Sequence, residues 1–235
     1  MAVPEVVVRD ALEPCPYLPG RTARLPMRLQ RAPVRGADLD ACLAASDRRV
    51  GALLYRPSCP QCAACEAIRV PVREFRPRRD QRRAWARCAD VLGVTLHAPS
   101  CTPEHLALFA RHKAERGLLE PGAGPPTEAS YARWLVHTCT DTVEMRYALD
   151  GRLAGVGILD LGATAASSVY FYWDPDLARL GLGVFSVLSE IAFAAEHGFD
   201  WLYLGLAVAD CPAMAYKTAY RPHERLVGGR WTALP

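Results

Sequence analysis

The tightest cluster of reactive side chains is Cys59-Pro-Gln-Cys62-Ala-Ala-Cys65, two overlapping CxxC turns, with Cys15 far upstream in Pro-Cys-Pro-Tyr-Leu-Pro-Gly. A CxxC turn lets two thiolates reach one ion, and a third thiolate three residues on extends the arc. Cys15 would then close a four-thiolate set for Zn or an iron-sulfur cluster. The alternative is a turn holding free thiols, which would be prone to oxidation at this spacing in an exposed loop. The chain has nine cysteines, an odd number that suits reduced thiols better than a disulfide framework. Cys42, Cys88, Cys101, Cys139 and Cys211 lack ligand-like spacing and read as small buried hydrophobes.

A second signal is basic. Seven arginines lie between Arg73 and Arg87, with Phe75 and Trp85 interleaved. Arginine forks grip phosphate oxygens in pairs, so several on one helix, Arg82 and Arg83 among them, make an electrostatic footprint for an RNA backbone. The net charge of +3 is too small to argue for a nucleic acid by itself, and a solvated helix face is the competing reading of the run.

Two further segments carry chemistry. Val169-Tyr-Phe-Tyr-Trp-Asp174-Pro-Asp leads into Gly181-Leu-Gly183 at the start of a helix. In acyltransferases of the GNAT type, a strand splays from its neighbour and such a turn offers backbone N–H groups to the donor's phosphates. Glycines for close packing explain the same pattern. Beyond the last apolar strand, Met214 to Glu224 places Lys217, Arg221 and His223 among hydroxyl and aromatic groups, where cations could hold a carboxylate.

The elements that must position these residues follow from periodicity and turn chemistry. Arg49–Tyr55 and Ala67–Val72 read as strands flanking the cysteine loop, Asp80–Val91 as a helix, and Thr102 as the cap of a helix ending near Arg116. Gly117 to Pro126 is a break, dividing a cysteine-bearing lobe (1–120) from a second lobe (127–235). The second lobe reads as a helix from Thr127 to Cys139, then strands Val143–Leu149, Leu153–Leu161 and Ser167–Trp173, with a tight turn at Asp150-Gly151. A helix from Leu180 to His197 and the strand Trp201–Leu206 follow. The expected fold class is α/β (α+β): a second lobe with a mixed, mostly antiparallel sheet that resembles the GNAT type (GNAT-like), plus an N-terminal cysteine-bearing α+β lobe. No basic leader precedes an apolar stretch, and no window approaches the roughly 20 apolar residues that span a bilayer, so a cytoplasmic monomer away from membranes is expected.

Taken in order, Pro14 to Arg21 (PCPYLPGR), Tyr55 to Cys65 (YRPSCPQCAAC), Glu74 to Arg83 (EFRPRRDQRR), VYFYWDPDLARLGLGVFSVLSEI, LYLGL and MAYKTAYRPHE resemble the bacterial leucyltransferases of the arginyl-tRNA-protein transferase family. The likeness spans nearly the whole chain. It implies transfer of leucine or arginine from charged tRNA to the N-terminal amine of acceptor proteins or peptides that begin with Asp or Glu, creating an N-degron. Aminoacyl-tRNA is then the co-substrate. Eukaryotic members hold an iron-sulfur cluster through N-terminal cysteines beginning CxxC, whereas this chain has Cys15-Pro-Tyr-Leu18; a family G-Y-W pattern is here Gly205-Leu206-Ala207.

For such a reaction Asp174 is the candidate base, with turn formation as its other reading. Tyr170 and Tyr172 would make polar contacts near the carbonyl, Arg82, Arg83, Gly181 and Gly183 would meet the donor, and Arg56, Lys217 and Arg221 would pair the acceptor's carboxylate. A CoA-dependent N-acetyltransferase would share the second lobe without needing the arginines or cysteines. A non-catalytic RNA-binding module with a structural metal would leave the YFYWDP and MAYK segments idle.

Overall fold

A computed structural model describes residues 4–119, 122 and 124–234. In chain order the strands and helices are β1 (Glu5–Arg9), β2 (Leu12–Pro14), β3 (Thr22–Arg24), β4 (Met27–Gln30), α1 (Gly36–Ala44), β5 (Arg48–Val50), β6 (Leu53–Tyr55), β7 (Glu66–Pro71), α2 (Arg79–Cys88), β8 (Leu92–His97) and α3 (Pro103–Glu115). They continue with α4 (Glu128–Tyr131), β9 (Thr142–Leu149), β10 (Arg152–Leu161), β11 (Ala165–Trp173), α5 (Leu182–Glu196), β12 (Trp201–Ala207), α6 (Pro212–Ala215), β13 (His223–Val227) and β14 (Arg230–Leu234).

An eight-stranded sheet in the order β14-β13-β7-β12-β11-β10-β9-β8 dominates. Its ladders are antiparallel except β11 against β12, which is parallel. The mixed, mostly antiparallel α+β architecture is therefore present, and helix, three strands, helix, strand is the order found across the second lobe. The sheet does not respect the division at 117–126, however. β7 and β8 precede that break, yet β7 fills the gap between β12 and β13 and β8 closes the edge beside β9. Residues 120, 121 and 123 of the break lie outside the described residues.

Arg49–Tyr55 is two strands rather than one, because Gly51 (φ +56°) turns the chain, and a Cβ there would sit 2.2 Å from the Arg133 carbonyl oxygen. The helix expected from Thr127 to Cys139 is one α turn that loosens into a π turn over Ala132–Val136. Thr127 caps it as expected, accepting from Ser130 N–H at 3.2 Å. β8 and the terminal strands lack a clean apolar alternation, and β8 shows solvent five of its six residues.

The two faces of the sheet are packed separately. α5, with buried Phe185, Val187, Leu188, Ile191 and Phe193, lies against one face together with α2. α3 covers the other with Leu108 and Phe109, beside Tyr131, Val156, Ile158 and Tyr172. The four-stranded sheet β1-β4-β6-β5 carries the N-terminal segment against this second side through Leu39, Leu54, Ala165 and Tyr203. No helix among the described residues is long and apolar enough to cross a membrane.

Candidate active site

β11 and β12 pair only where Ala165–Ser167 meets Trp201–Tyr203. Beyond that β11 runs on to Trp173 and β12 to Ala207 without a shared ladder, so a V opens between them, as expected for a GNAT-like lobe. Each strand bulges at the mouth of the V. On β11, Ser168 pairs with Leu159 and Tyr170 with Ile158, leaving Val169 unpaired. On β12 the ladder to β7 slips between Tyr203 and Leu206, where Gly205 adopts φ +87°. A bulge ends pairing and re-aims side chains, and this one needs a residue that tolerates positive φ.

Two cations flank Gly205. A Cβ on it would lie 3.0 Å from Arg48 Nη2 and 3.4 Å from Lys217 Nζ. Arg48, at the start of β5, donates to the Ser167 hydroxyl at 3.2 Å and to the Ser168 carbonyl at 3.0 Å. Lys217 is buried and donates to the Leu206 carbonyl at 2.9 Å, the carbonyl that the bulge presents. Among the described residues neither cation has an ion-pair partner. Burial, then the charge of Arg48, pulls the Lys217 amine down to about 7. Tyr17 and Tyr55 close this corner: their hydroxyls face each other, and burial pushes both above the usual phenol range while Arg48 pulls the other way.

The other candidates for the acceptor's carboxylate lie elsewhere. Arg56 is spent on Asp47, in a fork at 3.0 and 2.9 Å. Lys217 and Arg221 do not share a helix face, because the 3-10 turn carrying Lys217 ends at Ala219; Arg221 is exposed and donates to the Thr218 carbonyl. Asp174 caps the turn after β11, accepting from Asp176 N–H at 2.9 Å, and is ion-paired with Arg111. Its turn-forming reading therefore has direct support. Tyr172 is wholly buried on the α3 face with its hydroxyl 2.6 Å from that of Tyr131, packed as a core residue. Tyr170 packs half-buried on Phe109, ring centroids 5.9 Å apart. The unpaired Val169 explains the miss: it flips the alternation of β11, turning Tyr170 and Tyr172 toward α3.

On the α5 side, Gly181 (φ +78°) caps the helix, and nothing stands within 4 Å of a Cβ at Gly183, so the first turn of α5 is open. α2 packs beside it, Trp85 against Phe185 at 5.0 Å. Arg87 donates to the Leu180 carbonyl at 3.3 Å and brings Nη2 to 3.1 Å from a Cβ at Gly181. Arg82 and Arg83 are exposed on the same helix. Unpaired N–H groups of a helix start beside guanidinium groups make an anion site.

Cys15, Cys59 and Cys62 are near enough to Cys65 to act on it by charge: burial first, then Cys59, Cys15, Cys62 and Cys211, pushes Cys65 up to about 11. Cys15 accepts from Leu18 N–H at 3.4 Å and Cys59 from Arg24 N–H at 3.5 Å. No three His, Cys, Asp or Glu among the described residues stand close enough to hold a metal.

Residues 13–83 match the family described as arginine-tRNA-protein transferase, N terminus, and residues 104–227 match its C terminus. The chain belongs to the arginine-tRNA-protein transferase family. It is 37% identical over 228 residues to an aspartate/glutamate leucyltransferase of Halorhodospira halophila, covering 97% of this chain and 96% of that one. It is 35% identical over 224 residues to one of Chromobacterium violaceum, covering 94% and 91%. Among solved structures, L-PGS from Bacillus licheniformis superposes with a TM-score of 0.52 at 11% identity, over 72% of this chain and 58% of that one, a likeness of fold.

Both family regions build the V. The N-terminal match brings Tyr17, Arg48, Tyr55 and the cysteines, and the C-terminal match brings Gly181, Gly205 and Lys217. Arg48 and Tyr17 were not singled out by sequence reasoning, and Arg87 was read only as the end of the arginine run. Arg48-Arg49 at a strand start was the available signal: period two sends Arg49 into a buried pair with Asp160 at 2.7 Å and Arg48 to the opposite side.

Proposed function

We propose that this family member transfers leucine from leucyl-tRNA to the N-terminal amine of acceptors beginning with Asp or Glu. The observation that carries this reading is the pair Arg48 and Lys217, which flank Gly205 and have no ionic partner among the described residues. An acidic first residue places its carboxylate two or three carbons from the reacting amine, so a paired cation at the V selects it and sets the amine's approach. The names of the relatives support leucine as the transferred residue and acidic N-termini as acceptors.

The donor enters on the α5 side. The open start of α5 with Arg87 holds a phosphate of the tRNA 3′ end, Arg82 and Arg83 track the backbone further out, and the V leads the ester toward Arg48 and Lys217. Because the ester is already activated, alignment supplies much of the rate, on the order of 7 to 11 kcal/mol at best. Asp174, held by Arg111, fixes the end of β11.

Thiolates suit a soft metal by their chemistry, and two of these sulfurs already accept backbone N–H bonds of the kind that support metal-bound thiolates, although no three of the groups stand within metal-binding distance among the described residues. Cys15, Cys59, Cys62 and Cys65 would hold a Zn ion or an iron-sulfur cluster, whose bound charge would draw the thiols into thiolates. These residues would then pin the segments carrying Tyr17 and Tyr55 against Arg48.

The test is acceptor choice. With leucyl-tRNA as donor, kcat/KM for peptides beginning Asp or Glu should exceed that for otherwise identical Asn, Ala and Lys peptides by at least about 30-fold, since a charged hydrogen bond is worth about 2 to 5 kcal/mol. Equal rates across the series would overturn the carboxylate assignment.

A further inference from the structure

The acceptor arrives as an ammonium and must lose a proton before it can attack, which leaves a proton acceptor to be found near the V. Among the described residues, one buried carboxylate has no ionic partner. Glu190 lies mid-way along α5, fully buried beside Val187, Ile191, Phe193 and Ala194, with the buried Ser186 one turn before it. Neither of its oxygens accepts a hydrogen bond of ordinary geometry. Its carboxyl fits against β10 where Gly157 has no side chain: a Cβ there would lie 3.5 Å from Glu190 Oε1.

The surroundings tie this carboxyl to the acceptor corner. On β11, Ser168 pairs with Leu159, which packs in the α5-side cluster two residues along β10 from Gly157, so Ser168 lies on the Glu190 side of the sheet, and its carbonyl accepts from Arg48 at 3.0 Å. Tyr216 senses the Glu190 charge, and the Lys217 ammonium lies 6.0 Å from the Tyr216 ring centroid. Ser168 is the last β11 residue before the unpaired Val169, where the strands part. The titratable groups facing Glu190 are Tyr147 of β9 and Tyr216 and Tyr220 beyond β12, all uncharged as phenols.

We infer that Glu190 takes the proton shed by the acceptor ammonium, passed across the sheet by the Ser168 hydroxyl; this rests on the aminoacyl-transfer reading above. As an N–H bond of the ammonium breaks, Ser168 accepts that proton and gives its own to the Glu190 carboxylate. The freed nitrogen lone pair forms the C–N bond while the carbonyl π pair moves onto oxygen. When the oxyanion collapses, the C–O bond to ribose breaks and the leaving oxygen takes the proton back from Glu190 through Ser168. The second ammonium proton leaves to solvent, so one proton is released per transfer. Burial holds the Glu190 carboxyl up at about 8, close to an α-amine, so the exchange is nearly balanced in energy.

The test is single-turnover transfer from leucyl-tRNA to an Asp peptide between about pH 6 and pH 10. The enzymes compared are the unaltered one, Glu190→Gln, Glu190→Asp and Ser168→Ala, each with a thermal melt. The unaltered enzyme should speed up with pH and level off above about 8. Glu190→Gln should melt no lower at alkaline pH, yet be about 10²- to 10⁴-fold slower near pH 7, with the deficit narrowing toward pH 10 as the acceptor amine sheds its proton to solvent. Ser168→Ala should be slowed as well, while Glu190→Asp keeps a pH-dependent limb. A Glu190→Gln enzyme as fast as the unaltered one, or slower with the same pH profile, overturns the proposal; so does unimpaired Ser168→Ala if the Gln variant does not fold. No transfer by the unaltered enzyme sinks the underlying reading, and this inference with it.

Discussion

Replacing Lys217 by Met keeps the aliphatic stem in its buried slot and removes the amine. Two consequences run in opposite directions. For the acceptor, an acidic first residue loses one of the two cations beside Gly205, and the loss of a buried charged hydrogen bond at about 2 to 5 kcal/mol corresponds to roughly a 30- to 5,000-fold fall in kcat/KM. Asn or Gln peptides, which never used the charge, should fall far less, so the preference flattens. For the fold, the amine is held near 7 against an ordinary 10.5, so the unfolded chain binds the proton more tightly than the folded one. Lysine therefore destabilises the native state most below pH 7, and that penalty fades as pH rises toward 10.5. Lys217→Met should raise the melting temperature at pH 6 and lose the gain at alkaline pH. The same titration predicts that KM for Asp peptides climbs as pH rises through about 7 in the unaltered enzyme, because the carboxylate binds the protonated amine. Steady-state kinetics on paired Asp and Asn peptides, with melts at two pH values, measure all three. An equal fall for every acceptor, or a destabilised variant at pH 6, would refute the assignment and return this lysine to the scaffold.

Gly205→Ala should cost about 1 to 2 kcal/mol for a side chain at positive φ, lowering Tm by a few degrees, and should displace Arg48 enough to reduce transfer to Asp peptides at least tenfold; kinetics and a melt check it. Neutralising Arg82 and Arg83 together should weaken tRNA binding and flatten the salt slope by about 1.4 to 1.8, leaving peptide affinity unchanged; an unaltered slope would mean a solvated face. Anaerobically purified protein should carry about one metal centre, lost on replacing Cys59, Cys62 or Cys65 by Ser, as read by elemental analysis and thiolate absorption.

The catalytic half was legible where local chemistry decides the structure. Asp150 and Gly151 both take positive φ, as the hairpin reading required, and Gly198 ends α5 in the left-handed region. The V itself was visible as a strand, turn and glycine-bearing helix. What stayed hidden depends on residues far apart in sequence. β7 joins the large sheet between β12 and β13, and Arg48 reaches Ser167 across 119 positions, contacts that no window of sequence contains. The choice among cations failed for the same reason: Arg56 and Lys217 look alike until Asp47 is seen gripping the first and nothing acidic the second. The unpaired Val169 was equally invisible, since a bulge leaves the apolar alternation intact on either side while swapping the face beyond it. Glu190 did leave a trace, a lone acid within an apolar helical run, but the sequence could not say that its neighbours would include Gly157 and Ser168.

The most direct measurement of the central claim offers the purified protein one peptide beginning with Asp and, in separate reactions, leucyl-tRNA, arginyl-tRNA and acetyl-CoA, and reads the peptide's mass. The prediction is a single added leucyl residue on the N-terminal amine with leucyl-tRNA and an unmodified peptide with acetyl-CoA. Acetylation from acetyl-CoA, or no modification from any charged tRNA, would contradict the assignment of the V to aminoacyl transfer.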